Sequence, residues 1–147
     1  LFVCTANIVR SFMAEWILKG RLKEAKKTGI EVSSAALIDM HGMPTDPLAV
    51  EILHEHGFNG VGHASKLLDA EMVEAADKII VMEGLHKDMI LSLHPEAEGK
   101  IHLLKSFSPE FSKEHGDIKD PYKLSIFHYR LCFSEIYLSI DGLMKCI

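Results

Sequence analysis

Cysteine is scarce in this chain: three among 147 residues, at Cys4, Cys132 and Cys146. An odd number without metal-type spacing excludes a disulfide framework and a zinc site, so reduced thiols are expected. Long apolar runs are also missing. None approaches the roughly 18 residues that a membrane span needs, and the first residues carry neither a basic n-region nor a cleavage motif. A soluble, cytoplasmic protein with no membrane partner is the expectation. The opening of the chain inside an apolar run, at Leu1, leads us to expect a few further residues before it in the native protein. Positive charge does not dominate, with 16 Lys and Arg against 21 Asp and Glu and a formal net charge of −5. A nucleic-acid partner would demand many more cations, so DNA and RNA are not expected and any anion site must be local. No low-complexity tract, like-charge block or internal repeat is present, which argues against disorder. What remains is an apolar fraction of 48%, enough for the core of one domain over residues 1–147 that removes roughly two-thirds of the unfolded surface from water.

Periodicity divides that domain into alternating elements. Leu1 to Val3 is a short β-type run, and a helical pattern follows from Ser11 to about Lys26. Ile30 to Ala35 alternates like a second strand, and Leu37 to Pro44 is irregular, with Gly42 and Pro44 as breakers. Asp46 before Pro47 is a helix start, because the Asp side chain accepts orphan amide hydrogens and Pro lacks one. Gly57 ends that helix. A short helix from Asp69 to about Ala76 precedes Lys78 to Met82, whose continuous apolar character suits a strand buried on both faces. Gly84 to Leu93 reads as helix and Ile101 to Leu104 as strand. A long polar connection from Ser106 to Pro121 leads to a last helix, predicted to lay Leu124, Phe127, Leu131, Phe133, Ile136, Tyr137, Ile140 and Leu143 on the sheet. This alternation predicts an α/β fold, a parallel sheet covered by helices on both faces, with ligands at the carboxyl ends of the strands.

The loop after the first strand reads Cys4-Thr5-Ala6-Asn7-Ile8-Val9-Arg10-Ser11. Backbone amides curling around a helix start make an anion cradle, reinforced by the positive end of the helix dipole, and phosphate or sulfate fits it. The same field favours a thiolate at Cys4. Arg10 can grip two phosphate oxygens with its planar fork. Cys followed by Arg six positions later is weak evidence alone, and a structural Cys beside a surface Arg is the plain alternative. Strand, helix, Asn7 and Ser11 together favour the chemistry. In the long loop, Asp117 and Asp120 precede Pro121 and Tyr122. Expelling an alkoxide or phenoxide from a phosphate ester requires a proton donor, for which Asp120 is a candidate; a helix N-cap explains an Asp before Pro equally well. Asp117 reads as a second carboxylate or a solvated loop residue.

Taken together, Cys4 to Ser11 and Asp120-Pro121-Tyr122 resemble the low-molecular-weight protein tyrosine phosphatases, and the likeness runs over essentially the whole chain. Met13-Ala14-Glu15, Ser34-Ala35, Gly42, Pro44, Asp46-Pro47, Gly57, His63, Ser65, Ala76-Asp77 and Ile80-Val81-Met82 with His86 fall in order. The resemblance implies a three-layer single domain whose four-stranded parallel sheet has the order 2-1-3-4. It implies a two-step hydrolysis through a cysteinyl-phosphate, with Cys4 as nucleophile, Arg10 as clamp and Asp120 as acid then base. Thr5, Ala6, Asn7, Ile8, Val9 and Ser11 would bind the phosphate, Ser11 would hydrogen-bond the thiolate, and Asn7, Ser34 and His63 would hold the loop. No metal or cofactor is implied. The expected partner is a phosphorylated protein or a small aryl phosphate, and the expected state a monomer or weak homodimer.

Several positions depart from the family pattern. Val9 stands where a second Cys is usual, removing that route to a protective disulfide. Ala6 replaces a frequent Gly and Phe12 a frequent Pro, and Lys123-Leu124-Ser125 replaces a frequent Gly-Gly-Ser. The aromatic wall from the loop after the second strand gives way to Met40 and His41, leaving Tyr122 as the clearer wall. Apolar Ile8 favours phosphotyrosine over phosphoarginine, since the related arginine phosphatases tend to carry a polar residue there. Arsenate reductases would need extra cysteines, and phosphocarriers would need neither Arg10 nor Asp120. A phospho-ligand-binding protein without turnover is the remaining alternative. His54 and His56, two apart on a helix, point to different faces and do not make a metal site with His63.

Overall fold

The computed structural model describes residues 1–147 and contains four strands, each three residues long. These are β1 (Phe2–Cys4), β2 (Ser34–Ala36), β3 (Ile79–Val81) and β4 (Ile101–Leu103). All pair in parallel in the order β2-β1-β3-β4. Five α-helices intervene or follow: α1 (Arg10–Glu24), α2 (Pro47–Glu55), α3 (Ala70–Ala75), α4 (Gly84–Leu93) and α5 (Ile126–Met144).

Side chains of a strand alternate between faces, so the sheet supports two cores. Phe2, Cys4 and Ile80 join a larger cluster with Phe12, Met13 and Ile17 of α1, Ile52 and Leu53 of α2, and Ile136 and Ile140 of α5. Val3, Ile79 and Val81 face the other way, against Val73 of α3 and Ile90 of α4. Phe12 is the third residue of α1 rather than its start, and burying its ring completely is worth roughly 1.5–3 kcal/mol. Cys132 lies in the larger core, where burial pushes its thiol pKa up.

Two local expectations are corrected. The second strand begins at Ser34, not Ile30: Phe2 is paired with Ser34, and residues 30–33 lie outside the register of β1. The last helix begins at Ile126, and three residues expected on the sheet face solvent instead, with Phe127 67% and Leu131 47% exposed and Leu124 exposed in the preceding turn. At 3.6 residues per turn, Phe127 lies about 180° around the helix from Ile136, so one apolar pattern contains both a buried and an exposed stripe. Tyr129, Cys132, Phe133, Ile136, Ile140 and Leu143 form the buried one. Farther along, Gly142 lets α5 pass the backbone of the 3₁₀ turn Leu104–Phe107, where an added Cβ would overlap the Phe107 carbonyl oxygen. No helix is long and apolar enough to cross a membrane.

Candidate active site

Because β1 is central, its carboxyl end delivers the chain into the middle of the molecule, and residues 5–9 turn there before α1 starts at Arg10. Cys4 is buried at the strand end. Asn7 adopts φ +56°, a left-handed conformation that Asn tolerates better than most residues. Ala6 does not require a positive φ, so its replacement of Gly leaves the turn unstrained.

A directional hydrogen-bond chain holds the loop. The Asn7 Oδ1 accepts from the Lys66 backbone amide at 3.2 Å, which fixes the orientation of the side-chain amide. Its Nδ2 then donates to both Ser11 Oγ and Ser34 Oγ, at 2.8 Å each. With their lone pairs engaged, the hydroxyl protons point outward: Ser34 donates to the buried Glu15 carboxylate at 2.5 Å, and Ser11 faces Cys4 Sγ at 3.1 Å. The Asn7 amide adds a donor to the same sulfur at 3.3 Å. Loop carbonyls are held from outside. His63 Nε2 meets Asn7 O at 3.1 Å, and Ser65 donates to Ala6 O at 2.8 Å. A carbonyl can only accept, so His63 carries its proton on Nε2, and burial lowers its pKa toward the neutral form.

Arg10 is only 2% exposed, yet its charge is balanced on several sides. Its Nη1 pairs with Glu83 and donates to Ile118 O at 2.9 Å, and its Nη2 lies 3.4 Å from Asp120 Oδ2. Burial opposes the guanidinium charge, but Cys4, Glu83 and Asp120 together hold its pKa above the ordinary value. Glu83 was not among the residues singled out from sequence. Its place two residues past the end of β3, at the carboxyl edge of the sheet, was the signal that could have found it. Next to it, His86 is buried with Nε2 3.0 Å from Thr5 Oγ1, while its Nδ1 has no partner. Burial, then the nearby Arg10, lowers the His86 pKa.

Asp120 does not cap a helix; Ser125 precedes α5 in that position. Its carboxylate instead faces Arg10 and accepts from the Tyr122 amide at 3.1 Å. Cys4, Ala6, Ile8, Val9, Arg10, Asp120 and Tyr122 line one small cleft of about 20 Å³. Met40 and His41 do not line it. His41 takes φ +52° and turns its side chain to solvent, 87% exposed, so the wall expected from that loop does not reach the cleft. Asp117 stands apart as well, accepting from the Gly84 amide at the start of α4. No group of three or more His, Cys, Asp and Glu side chains is placed to hold a metal ion.

A thiol, a guanidinium and a carboxylate converging on an amide-lined loop at a helix start define the scaffold of a cysteine-dependent phosphatase. The chain belongs to the low molecular weight phosphotyrosine protein phosphatase family, whose model matches residues 1–147. A probable low molecular weight protein-tyrosine-phosphatase, EpsP, of Ralstonia nicotianae is 34% identical, the match covering 97% of this chain and 90% of that one. A protein-arginine-phosphatase of Geobacillus stearothermophilus is 36% identical, over 99% of this chain and 93% of the other. Among solved structures, the low molecular weight protein tyrosine phosphatase from T. tengcongensis superposes with a TM-score of 0.90 at 34% identity, covering 99% of this chain and 97% of that one.

Proposed function

We propose that this chain hydrolyses protein phosphotyrosine through a cysteinyl-phosphate, with Cys4, Arg10 and Asp120 as the catalytic residues. The observation that carries the reading is their convergence in one cleft whose remaining walls, Ala6, Ile8, Val9 and Tyr122, are apolar or aromatic. The Cys4 thiolate attacks phosphorus as the ester oxygen leaves, and Asp120, protonated at that moment, delivers its proton to that oxygen. Asp120 then takes a proton from water, whose oxygen attacks phosphorus, and the P–S bond breaks to release phosphate and the thiolate. Ser11 and the Asn7 amide stabilise the sulfur anion at each end of the cycle. Arg10, oriented by Glu83 and Ile118 O, grips the equatorial oxygens while the loop amides complete the cradle. Ile8 and Tyr122 both line the cleft beside Cys4 and offer apolar surface to an aryl group at its mouth, and this favours phosphotyrosine over phosphoarginine even though both activities occur among the relatives. The same reading has the enzyme act on phosphorylated proteins in the cytoplasm, as a monomer or weak homodimer.

The test is steady-state hydrolysis of p-nitrophenyl phosphate and of matched phosphotyrosine and phosphoarginine peptides. Wild type should prefer phosphotyrosine, Ile8→Thr should narrow the preference, and Cys4→Ser should abolish turnover while still binding oxyanions. Asp120→Ala should lower kcat by about 100-fold on phosphotyrosine. Folded wild type without Cys4-dependent turnover would overturn the enzyme reading in favour of a phospho-ligand-binding protein. Faster phosphoarginine cleavage would overturn the substrate assignment alone.

A further inference from the structure

The loop that carries Asp120 and the loop that carries Cys4 are distant in sequence, yet a buried polar bridge joins them. Tyr129, in the first turns of α5, is 1% exposed, and its hydroxyl donates to Asp46 Oδ2 at 2.5 Å. Asp46 has two further duties. Its Oδ1 accepts from the Leu48 amide to cap α2, and its own backbone amide donates to Ile8 O of the Cys4 loop at 3.1 Å. On the other side, the backbone amide of Lys123 faces the Tyr129 oxygen. Lys123 holds φ +62° within the tight turn that the Leu124 amide closes onto Pro121 O at 2.9 Å. A left-handed lysine is costly, and the approach of its N–H to the buried Tyr129 oxygen offsets part of that cost.

The geometry points to Tyr129 as a positioning residue for the general acid. Its hydroxyl, anchored through Asp46 to the Cys4 loop, sets the turn 120–124 so that the Asp120 carboxyl lies over the cleft where the leaving oxygen must be. This rests on the reading of Asp120 as the acid. The hydroxyl does not touch substrate and acts through Asp120; kcat/KM, which covers the steps up to the cysteinyl-phosphate, separates the proton donation from the later step in which Asp120 takes a proton from water. A consequence separates this from a general structural role. Misplacing an acid hurts substrates in proportion to their need for protonation, whereas a loosened phosphate loop hurts all substrates alike.

The test is Tyr129→Phe, which removes one oxygen and keeps the ring, assayed on aryl phosphates running from p-nitrophenyl phosphate to unsubstituted phenyl phosphate, with Asp120→Ala in parallel. The expected result is a kcat/KM about tenfold lower on phenyl phosphate and within about twofold of wild type on p-nitrophenyl phosphate, with inhibition by inorganic phosphate unchanged. Asp46→Asn, which keeps the cap acceptor but places an amide opposite the hydroxyl, should reproduce this pattern, and it decides the matter if Tyr129→Phe does not fold. Equal losses on both substrates, or no loss on phenyl phosphate, would overturn the bridge. If Asp120→Ala itself showed no steeper loss on the poorer leaving group, the acid assignment would fall rather than the bridge alone.

Discussion

Replacing Asn7 by alanine, and separately by glycine, resolves two contributions that meet at that residue. Its side chain makes three hydrogen bonds inside the protein, to Ser11, Ser34 and the Lys66 amide. At a net value of about 1 kcal/mol each, their loss costs about 3 kcal/mol in either variant. Alanine must also enter the left-handed region at φ +56°, for about 1.5 kcal/mol more. Glycine enters freely but brings a more disordered unfolded state, worth about 0.7 kcal/mol. Asn7→Ala should therefore be destabilised by about 4–5 kcal/mol and Asn7→Gly by about 1 kcal/mol less. Against a total stability of roughly 5–15 kcal/mol, either change is large. Urea-induced unfolding followed by circular dichroism reads both values, and p-nitrophenyl phosphate turnover should fall in both because Ser11 is no longer aimed at Cys4. Alanine equal to or better than glycine would refute the backbone argument. Both variants within about 0.5 kcal/mol of wild type would refute the network.

Gly142→Ala should lower stability by about 2 kcal/mol and Tm by roughly 4–8 °C despite the better helix propensity of alanine, because the new methyl meets the Phe107 carbonyl; a raised Tm in differential scanning calorimetry would contradict this. Burial lowers the His86 pKa, so the unfolded chain takes up the proton first as pH falls, and the stability carried by the neutral ring is present above about pH 6.5 and lost below it. The groups facing that ring are Arg10, Glu83, Asp117 and Asp120. Thermal unfolding between about pH 7.5 and about pH 5 should show a smaller acid loss in His86→Gln, which keeps a partner for Thr5 without titrating, and identical slopes would refute the assignment. Arg10→Lys should cut kcat/KM by about 100-fold or more, since an ammonium cannot replace a fork held by Glu83 and Ile118 O; near-normal activity would show that charge alone suffices.

Sequence revealed the parts of the fold and site that are locally encoded. A β-type run ending at Val3, one residue short of the observed strand end, and a helix starting by Ser11 leave little choice about where the loop lies, and Asp46-Pro47 marks the start of α2 within one residue. Long-range geometry was harder to read. Ile30 to Ser33 alternate without pairing, because register depends on where the neighbouring strand begins. Met40 and His41 sit at a suitable place in sequence, but φ values of +52° at His41 and +72° at Gly42 carry the loop away from the cleft. Phe127 and Leu131 share the helical period of the buried face while lying opposite it. The Tyr129–Asp46 link spans 83 residues and leaves no periodic trace. Glu83, two residues past the end of β3, could have been found by topology alone.

The position of β1 between β2 and β3 has a consequence for how the molecule comes apart. Edge strands can fray singly, but β1 is bonded on both sides and clamped between two cores, so its amides become accessible only when the whole sheet opens. Hydrogen exchange at Phe2 and Val3 should report the global unfolding free energy, while β4 exchanges through smaller openings. The nucleophile hangs from that last-opening element. Activity and cooperative structure should then vanish at the same denaturant concentration, with no partly unfolded form in which the sheet persists and Cys4 is free.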